Sequence, residues 1–185
     1  MLKIVFATGN LNKVREVTQI LESFKIDVEH VNLMLTEIQS NRLEEIAKAS
    51  ALEAADRVSK PVIVEDSGLF IKSLNGFPGP FSSYVQKTIG NEGILKLMRG
   101  IDDREASFKS VVAYCNGKRK ALSFTGEVRG KISYEEEGKV WGFDPIFIPD
   151  QKGGETYAEM GPVEKSRISH RRRALEKFAK WYLKS

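Results

Sequence analysis

The sequence predicts an α/β fold, and three observations carry that prediction. Short apolar runs that end in glycine or acidic residues read as buried strands. Stretches with apolar residues every three or four positions read as helices, and the two types alternate along the chain. Residues 3–7 (KIVFA) form the first strand, closed by Thr8-Gly9-Asn10. From Asn12 the period changes: Val14, Val17, Leu21 and Phe24 mark one face of a helix to about residue 24. A second helix spans about 42–58, with Leu43, Ile46, Ala47, Ala51 and Ala54 as its stripe, and Lys60-Pro61 stops it. Residues 61–64 (PVIV) give a second buried strand, with Glu65 and Asp66 at its carboxyl end.

The middle of the chain differs. Residues 74–79 (LNGFPG) are rich in turn formers, and a helix follows around 94–98. Residues 107–115 run into Asn116-Gly117, and 119–125 return, a hairpin signature because Asn-Gly accepts the positive φ of a tight turn. Residues 128–132 add a third strand, 142–149 are rich in Gly and Pro, and a final helix runs from about His170 to Leu183. No internal repeat or flexible linker interrupts the chain, so it reads as one domain over 1–185 with an antiparallel lobe at roughly 105–140.

The chain has 185 residues, 41% of them hydrophobic, enough for a substantial core. No run of 18 apolar residues is present, which excludes a membrane-spanning helix. The opening MLKIVFATGN is not a basic segment followed by an apolar one, so no secretory leader is expected. Cys115 is the sole cysteine, which excludes a disulfide framework or a Cys-based zinc cluster and fits a reduced, cytoplasmic setting. The net charge of +4 is uneven: residues 167–185 hold seven Lys and Arg against one Glu, +6, which leaves −2 for residues 1–166. A basic end on a nearly neutral body asks for an anionic partner, be it nucleic acid, a membrane surface or a small phosphate compound.

Four segments carry chemistry. Thr8-Gly9-Asn10-Leu11-Asn12-Lys13 lies between a strand and a helix. A glycine turn there presents backbone N–H groups at the positive end of a helix dipole, with Lys13 as an added cation. It is a phosphate seat or an ordinary strand-to-helix turn; GxxxxGK[ST] occurs nowhere in the chain. Glu65-Asp66-Ser67-Gly68 follows an apolar strand, where open α/β sheets place ligands. Side chains alternate along a strand, so one acid of the pair faces a ligand. Asp66 is the better Mg²⁺ carboxylate, against the plain alternative of an acidic turn. Ser169-His170-Arg171-Arg172-Arg173 opens the last helix with Ser169 as an N-cap candidate, and arginines there oppose the helix dipole. They answer an anionic ligand or form a solvated basic face above Leu175, Phe178, Tyr182 and Leu183. Gly142-Phe143-Asp144-Pro145 sets a ring beside an acid and a rigid turn, either to stack on a nucleobase or as a core aromatic.

Together, TGNLNK at 8–13, EDSG at 65–68, WGFDP at 141–145 and KSRISHR at 165–171 resemble the Ham1/inosine triphosphatase family of non-canonical purine nucleoside triphosphate pyrophosphatases. LTEIQ at 35–39 and TYAEM at 156–160 extend the resemblance over nearly the whole chain, in order. It implies a long mixed central sheet flanked by helices, two lobes with a substrate cleft between them, and a homodimer. By position, Thr8, Gly9, Asn10 and Lys13 match the phosphate-binding loop. Glu37 and Asp66 match the acidic residues that hold Mg²⁺, with Asp66 also the general base, and Ser67 matches a substrate-contacting serine. Trp141, Gly142, Phe143 and Asp144 match the segment around the base, where Phe143 would stack, and Lys165, His170 and Arg171 match the group that reads the purine edge. One position departs: many relatives carry a triphosphate-binding lysine sixteen residues before the metal aspartate, where this chain has Ser50, with Lys48 two residues away.

The implied activity is hydrolysis of XTP, ITP or dITP to the monophosphate and pyrophosphate with Mg²⁺, cleansing the nucleotide pool. Neither nucleic acid nor a membrane is an expected partner. Two rivals remain at this level: a nucleic-acid-binding protein that uses the basic C-terminal helix, and a Maf-like nucleotide pyrophosphatase of other base specificity.

Overall fold

The computed structural model describes residues 2–117, 120–151 and 153–185. In chain order, β1 (Leu2–Ala7), α1 (Leu11–Glu22), β2 (Ile26–Val31), α2 (Leu43–Val58) and β3 (Val62–Ile71) are followed by β4 (Pro78–Gly79), α3 (Ser82–Thr88) and α4 (Gly90–Leu97). Then come β5 (Glu105–Cys115), β6 (Ala121–Ile132), β7 (Phe147–Pro149), α5 (Tyr157–Ile168) and α6 (His170–Tyr182). The strands form one sheet in the order β2-β1-β3-β5-β6-β7, with β4 paired to β3 outside that path. It is mixed: β1 runs parallel to β2 and β3, whereas β4 is antiparallel to β3 and β7 to β6. No helix among the described residues is long and apolar enough to cross a membrane.

The α/β class follows from the observed elements, with several local differences. The expected strand at 61–64 is far longer. β3 continues through Glu65-Asp66-Ser67-Gly68 to Ile71, so the two acids stand within a strand and not at its end. Leu69 and Ile71, fully buried, give this second half its reason to stay extended. The expected strands at 119–125 and 128–132 are one, β6, whose residues begin at Ala121; Arg119 lies outside the described residues. The five-residue link from β5 to β6 is too short for a parallel crossover. α2 ends where expected because Ser59 takes the left-handed conformation (φ 53°) and returns its N–H to Ala55 O at 2.9 Å, with Pro61 beyond.

Three elements carry no clear periodic signal. β2 (IDVEHV) is an edge strand with acids between its apolar residues. α3 buries a single apolar side chain, Val85. α5 is broken by Gly161 at φ 72°, which only glycine adopts without strain, followed by Pro162. Its first turn is secured by a reciprocal capping box between Thr156 and Glu159.

The chain divides into two compact units, one of residues 1–66, 110–126 and 171–185, the other of 67–109 and 127–170. Each has its own core. In the first, Ile4 and Phe6 of β1, Val17 and Leu21 of α1, Ile63 of β3 and Phe178 of α6 pack together. In the second, Leu69 and Ile71 of β3, Ile94 of α4, Phe108 of β5, Phe147 of β7 and Tyr157 of α5 do so. The rings of Phe108 and Phe147 meet edge to face at 4.8 Å.

In the second unit β4 lies so close to β3 that a Cβ on Gly68 would sit 2.2 Å from Gly79 O and 2.8 Å from its carbonyl carbon. Backbone cannot yield as a flexible side chain does. Gly68→Ala is therefore expected to lose about 1–3 kcal/mol of stability, read as a lowered midpoint in thermal denaturation, whereas Gly153→Ala, with open space around it, leaves the midpoint unchanged.

Candidate functional site

In the first unit, the turn from β1 into α1 is fixed from both sides. Asn10 is the N-cap of α1, its Oδ1 accepting from the N–H groups of Asn12 (2.9 Å) and Lys13 (3.3 Å). Thr8 Oγ1 accepts from Asn10 N–H at 3.2 Å. From β2, Val31 O accepts the Thr8 N–H at 3.2 Å, and His30 Nε2 lies 2.9 Å from Thr8 O. A carbonyl only accepts, so Nε2 carries the proton. Gly9 is exposed at the tip, and Thr8, Asn10 and Lys13 are half-buried around it.

Behind this turn lies a buried charge cluster. The Glu65 carboxylate has no solvent contact. Its Oε1 accepts from Ser110 Oγ at 2.6 Å and pairs with Arg171 Nε at 3.1 Å. Its Oε2 pairs with Lys13 Nζ at 3.0 Å and accepts from Arg171 Nη2 at 3.4 Å. The same ammonium donates to Glu65's backbone oxygen at 2.9 Å. Arg171 also pairs through Nη1 with Glu16. Burial opposes the charged form of Glu65, but the charges of Arg171 and Lys13 with the Ser110 hydrogen bond outweigh it and hold the carboxyl well below the usual carboxylate range. Burial likewise works against the Arg171 charge, and Glu65 and Glu16 overcome it, fixing the guanidinium proton.

The arginine that opposes the helix dipole at the start of α6 thus answers two anions of the protein itself. Its neighbour Arg172 pairs with Glu176 one turn on. Sequence reasoning left out Glu16, Ser110 and His30 and gave Glu65 no role. The usable signal was the arginine in a first turn, which asks for an acid, and the two-residue period of a strand carrying adjacent acids.

Asp66, next along β3, is half-exposed, and Glu37 is exposed in the irregular segment between β2 and α2. Glu65 is committed to its cations, and Asp66 and Glu37 are the two carboxylates that the resemblance assigns to a metal. Among the described residues no group of three His, Cys, Asp or Glu side chains is placed to hold a metal ion. One or two carboxylates completed by water and phosphate oxygens is the donor chemistry that Mg²⁺ takes, so the residues fit that ion. Ser50 is buried on α2 and Lys48 is exposed.

The second unit holds the other group. Trp141 is exposed, at 37%, whereas Phe143, expected as the stacking ring, is 4% exposed within the core. Between them lies Gly142, half-buried. Asp144 and Lys165 form a buried ion pair at 2.5 Å, and the ammonium lies 5.2 Å from the Trp141 ring centroid and 5.8 Å from that of Tyr157. His170 is buried and stacks on Phe108 at 4.6 Å with 10° between the planes. Ser67 is half-exposed on β3. The structure therefore groups Thr8, Gly9, Asn10, Lys13, Asp66 and Arg171 in the first unit, with Glu37 on a separate segment of it. Ser67, Trp141, Gly142, Phe143, Asp144, Lys165 and His170 belong to the second.

The buried cluster has consequences for stability. Arg171→Met strands Glu65 with one cation and should cost about 3–5 kcal/mol in urea denaturation at pH 7. Since the folded-state value of Glu65 is depressed, its contribution is complete above the unfolded carboxylate value of about 4.3 and is lost as pH falls toward the folded value. The stability difference between the wild type and Glu65→Gln should be constant from pH 6 to 8 and shrink steadily below about pH 4. A difference that stays constant into strong acid would show that the Glu65 carboxyl is not depressed in the folded protein.

Comparison with known proteins identifies the family. The model of the Ham1 family matches residues 4–181. The chain is 54% identical over 182 residues to a dITP/XTP pyrophosphatase of Methanopyrus kandleri, covering 98% of this chain and 96% of the relative, and 48% identical to one of Thermococcus kodakarensis, covering 97% of each. Among solved structures, a HAM1 protein from Coxiella burnetii superposes with a TM-score of 0.85 at 31% identity over the full length of both chains. The Staphylococcus aureus Ham1 protein gives 0.84 at 28% identity, covering 97% of each. With a family model spanning nearly all its residues and relatives this similar along their whole length, the chain belongs to the Ham1 family.

Proposed function

We propose that the protein is a nucleoside triphosphate pyrophosphatase that hydrolyses the non-canonical purine nucleotides XTP, ITP and dITP to the monophosphate and pyrophosphate. The observation that carries this is the capped turn at the start of α1, with the Lys13 ammonium held beside it by the backbone oxygen and the carboxylate of Glu65. The names of the relatives, dITP/XTP pyrophosphatases, support the same substrate class.

The residues divide the work. Lys13, at the turn that opens α1, binds and orients the phosphate chain. Asp66, half-exposed on β3, accepts the proton of the water that attacks the α-phosphorus. As the new P–O bond forms, the bond from the α-phosphorus to the bridging oxygen breaks, and pyrophosphate leaves with that oxygen. Glu37 and Asp66 would hold Mg²⁺, which when bound supplies positive charge to the phosphate oxygens and the leaving group. On the base side, the exposed Trp141 ring offers a stacking face, and the Lys165–Asp144 pair beside it sets a donor against the carbonyl at position 6 of hypoxanthine or xanthine. Adenine presents an amino donor there and leaves that donor unanswered. The same reading carries a homodimer, and sedimentation at the mass of a single chain would remove that part.

Incubation with dITP, XTP, ITP and ATP and analysis of products tests the reading: monophosphate and pyrophosphate should appear from the first three in the presence of Mg²⁺, and chelation should stop the reaction. Inosine diphosphate and orthophosphate as first products would overturn attack at the α-phosphorus. Asp66→Asn should lower turnover by about 10²–10⁴-fold with the fold intact by circular dichroism. Lys165→Ala should reduce the ratio of kcat/KM for ITP over ATP, whereas Lys13→Met lowers both alike, because phosphates are common to every nucleotide.

A further inference from the structure

We propose that Glu65 is a positioning residue for the phosphate chain, acting through Lys13: its carboxylate and its own backbone carbonyl together hold the ammonium with one N–H left over for the ligand. This rests on the reading of Lys13 as a phosphate ligand.

A lysine ammonium has three donors. Two of the Lys13 donors are taken by one residue, through Glu65 O at 2.9 Å and Glu65 Oε2 at 3.0 Å, and no further partner of Nζ occurs among the described residues. The side chain keeps 16% exposure and is not sealed from solvent as the Glu65 carboxylate is. Two contacts from adjacent groups of one residue fix both the place and the direction of a charge on a flexible four-carbon stem, which on its own would sample many rotamers. The carboxylate is in turn fixed. Ser110 Oγ at 2.6 Å and Arg171 Nε at 3.1 Å hold Oε1, and Oε2 faces the lysine while Arg171 Nη2 approaches it at 3.4 Å.

An acid beside a phosphate-binding cation has an obvious electrostatic objection, because it repels the ligand. Here the objection is met by sharing: Glu65 is divided between two cations, Lys13 and Arg171, so its charge is not available to cancel Lys13 alone. What the arrangement gains is preorganisation, since the ordering of the lysine is complete before the ligand arrives. The two effects oppose each other in sign, which makes the proposal decidable. If repulsion dominated, removal of the Glu65 charge would tighten anion binding. If positioning dominates, removal weakens it.

The probe is inorganic tripolyphosphate in metal-free buffer, titrated calorimetrically into the wild type, Lys13→Met, Glu65→Gln and the double variant, with folding verified by urea denaturation. Lys13→Met should weaken binding by about tenfold or more, as the loss of a charged hydrogen bond does. Glu65→Gln should weaken it by about fivefold or more although it removes a negative charge, and the double variant should bind no more weakly than Lys13→Met alone. A purely structural role for Glu65 would give additive losses, and additivity overturns the proposal, as does binding by Glu65→Gln that equals or exceeds the wild type. Tripolyphosphate affinity of Lys13→Met equal to that of the wild type overturns the phosphate reading of the loop itself, a result distinct from weak binding by Lys13→Met with normal binding by Glu65→Gln. Should Glu65→Gln not fold, Ser110→Ala removes one of the two contacts on Oε1 without changing any charge. It should lose about two- to threefold in affinity, a loss absent in the Lys13→Met background, and its persistence there overturns the proposal.

Discussion

A carboxylate sealed from water is among the most demanding groups a protein can contain, because its charge must be answered inside by partners of the right sign and geometry. Glu65 is such a group, and the residues that answer it come from α1, β5 and α6, at positions 13, 110 and 171. The pair with Arg171 accounts for a feature that helix physics alone leaves odd. Cations in a first helical turn are disfavoured by about 0.3–1 kcal/mol, far less than the cost of leaving the buried carboxylate unanswered. The interaction with Glu65 and Glu16 therefore outweighs the dipole cost at the start of α6. Of the four places where the chain passes from one compact unit to the other, three, at 66–67, 109–110 and 170–171, lie within two residues of Glu65, Ser110 and Arg171 respectively. The backbone near these passages is tied to one charge.

A second buried ion pair, Lys165–Asp144, shows the same rule serving a different end. Its cation packs on the Trp141 and Tyr157 rings, whose faces favour a positive charge, and its acid opens a short turn rigidified by Pro145. In the Glu65 cluster the carboxylate is shared among donors. Here one acid and one lysine stand together beside an exposed ring. Phe143 and His170 belong to the apolar support of this unit, Phe143 in its core and His170 stacked on Phe108.

The α/β class, α1, α2 and α6 were legible because each depends on local periodicity and on turn chemistry that a short window contains. β2 and α3 were not, since an edge strand half-exposed to water and a seven-residue helix need little apolar pattern. The course of β3 was misjudged at Ser67-Gly68, where small residues look like a turn. In the fold, glycine is needed there for close approach to Gly79 within a continuing strand. The site was legible as motifs and opaque as geometry. Arg171 and Glu65 are 106 positions apart in sequence, so nothing local reveals that one neutralises the other. For the same reason, an aromatic residue beside a turn could not be sorted in advance: of Trp141 and Phe143, two residues apart, one is exposed and the other is core.

The two cations on Glu65 are not equivalent, and the difference follows from their chemistry. Guanidinium is a planar fork with donors fixed in direction, suited to reaching two carboxylates at once in a site closed to water. Arg171 does this between Glu65 and Glu16 with 1% of its side chain exposed. An ammonium is a compact point charge whose donors rotate, and Lys13 keeps 16% exposure with two donors placed on one residue. Exchanging the two would fail on both counts: lysine cannot span two acids as a rigid fork, and arginine at position 13 would spend its planar face on Glu65 and present no single directed N–H. The cluster thus separates a charge that must stay from a charge that must remain available, and the same carboxylate sets both.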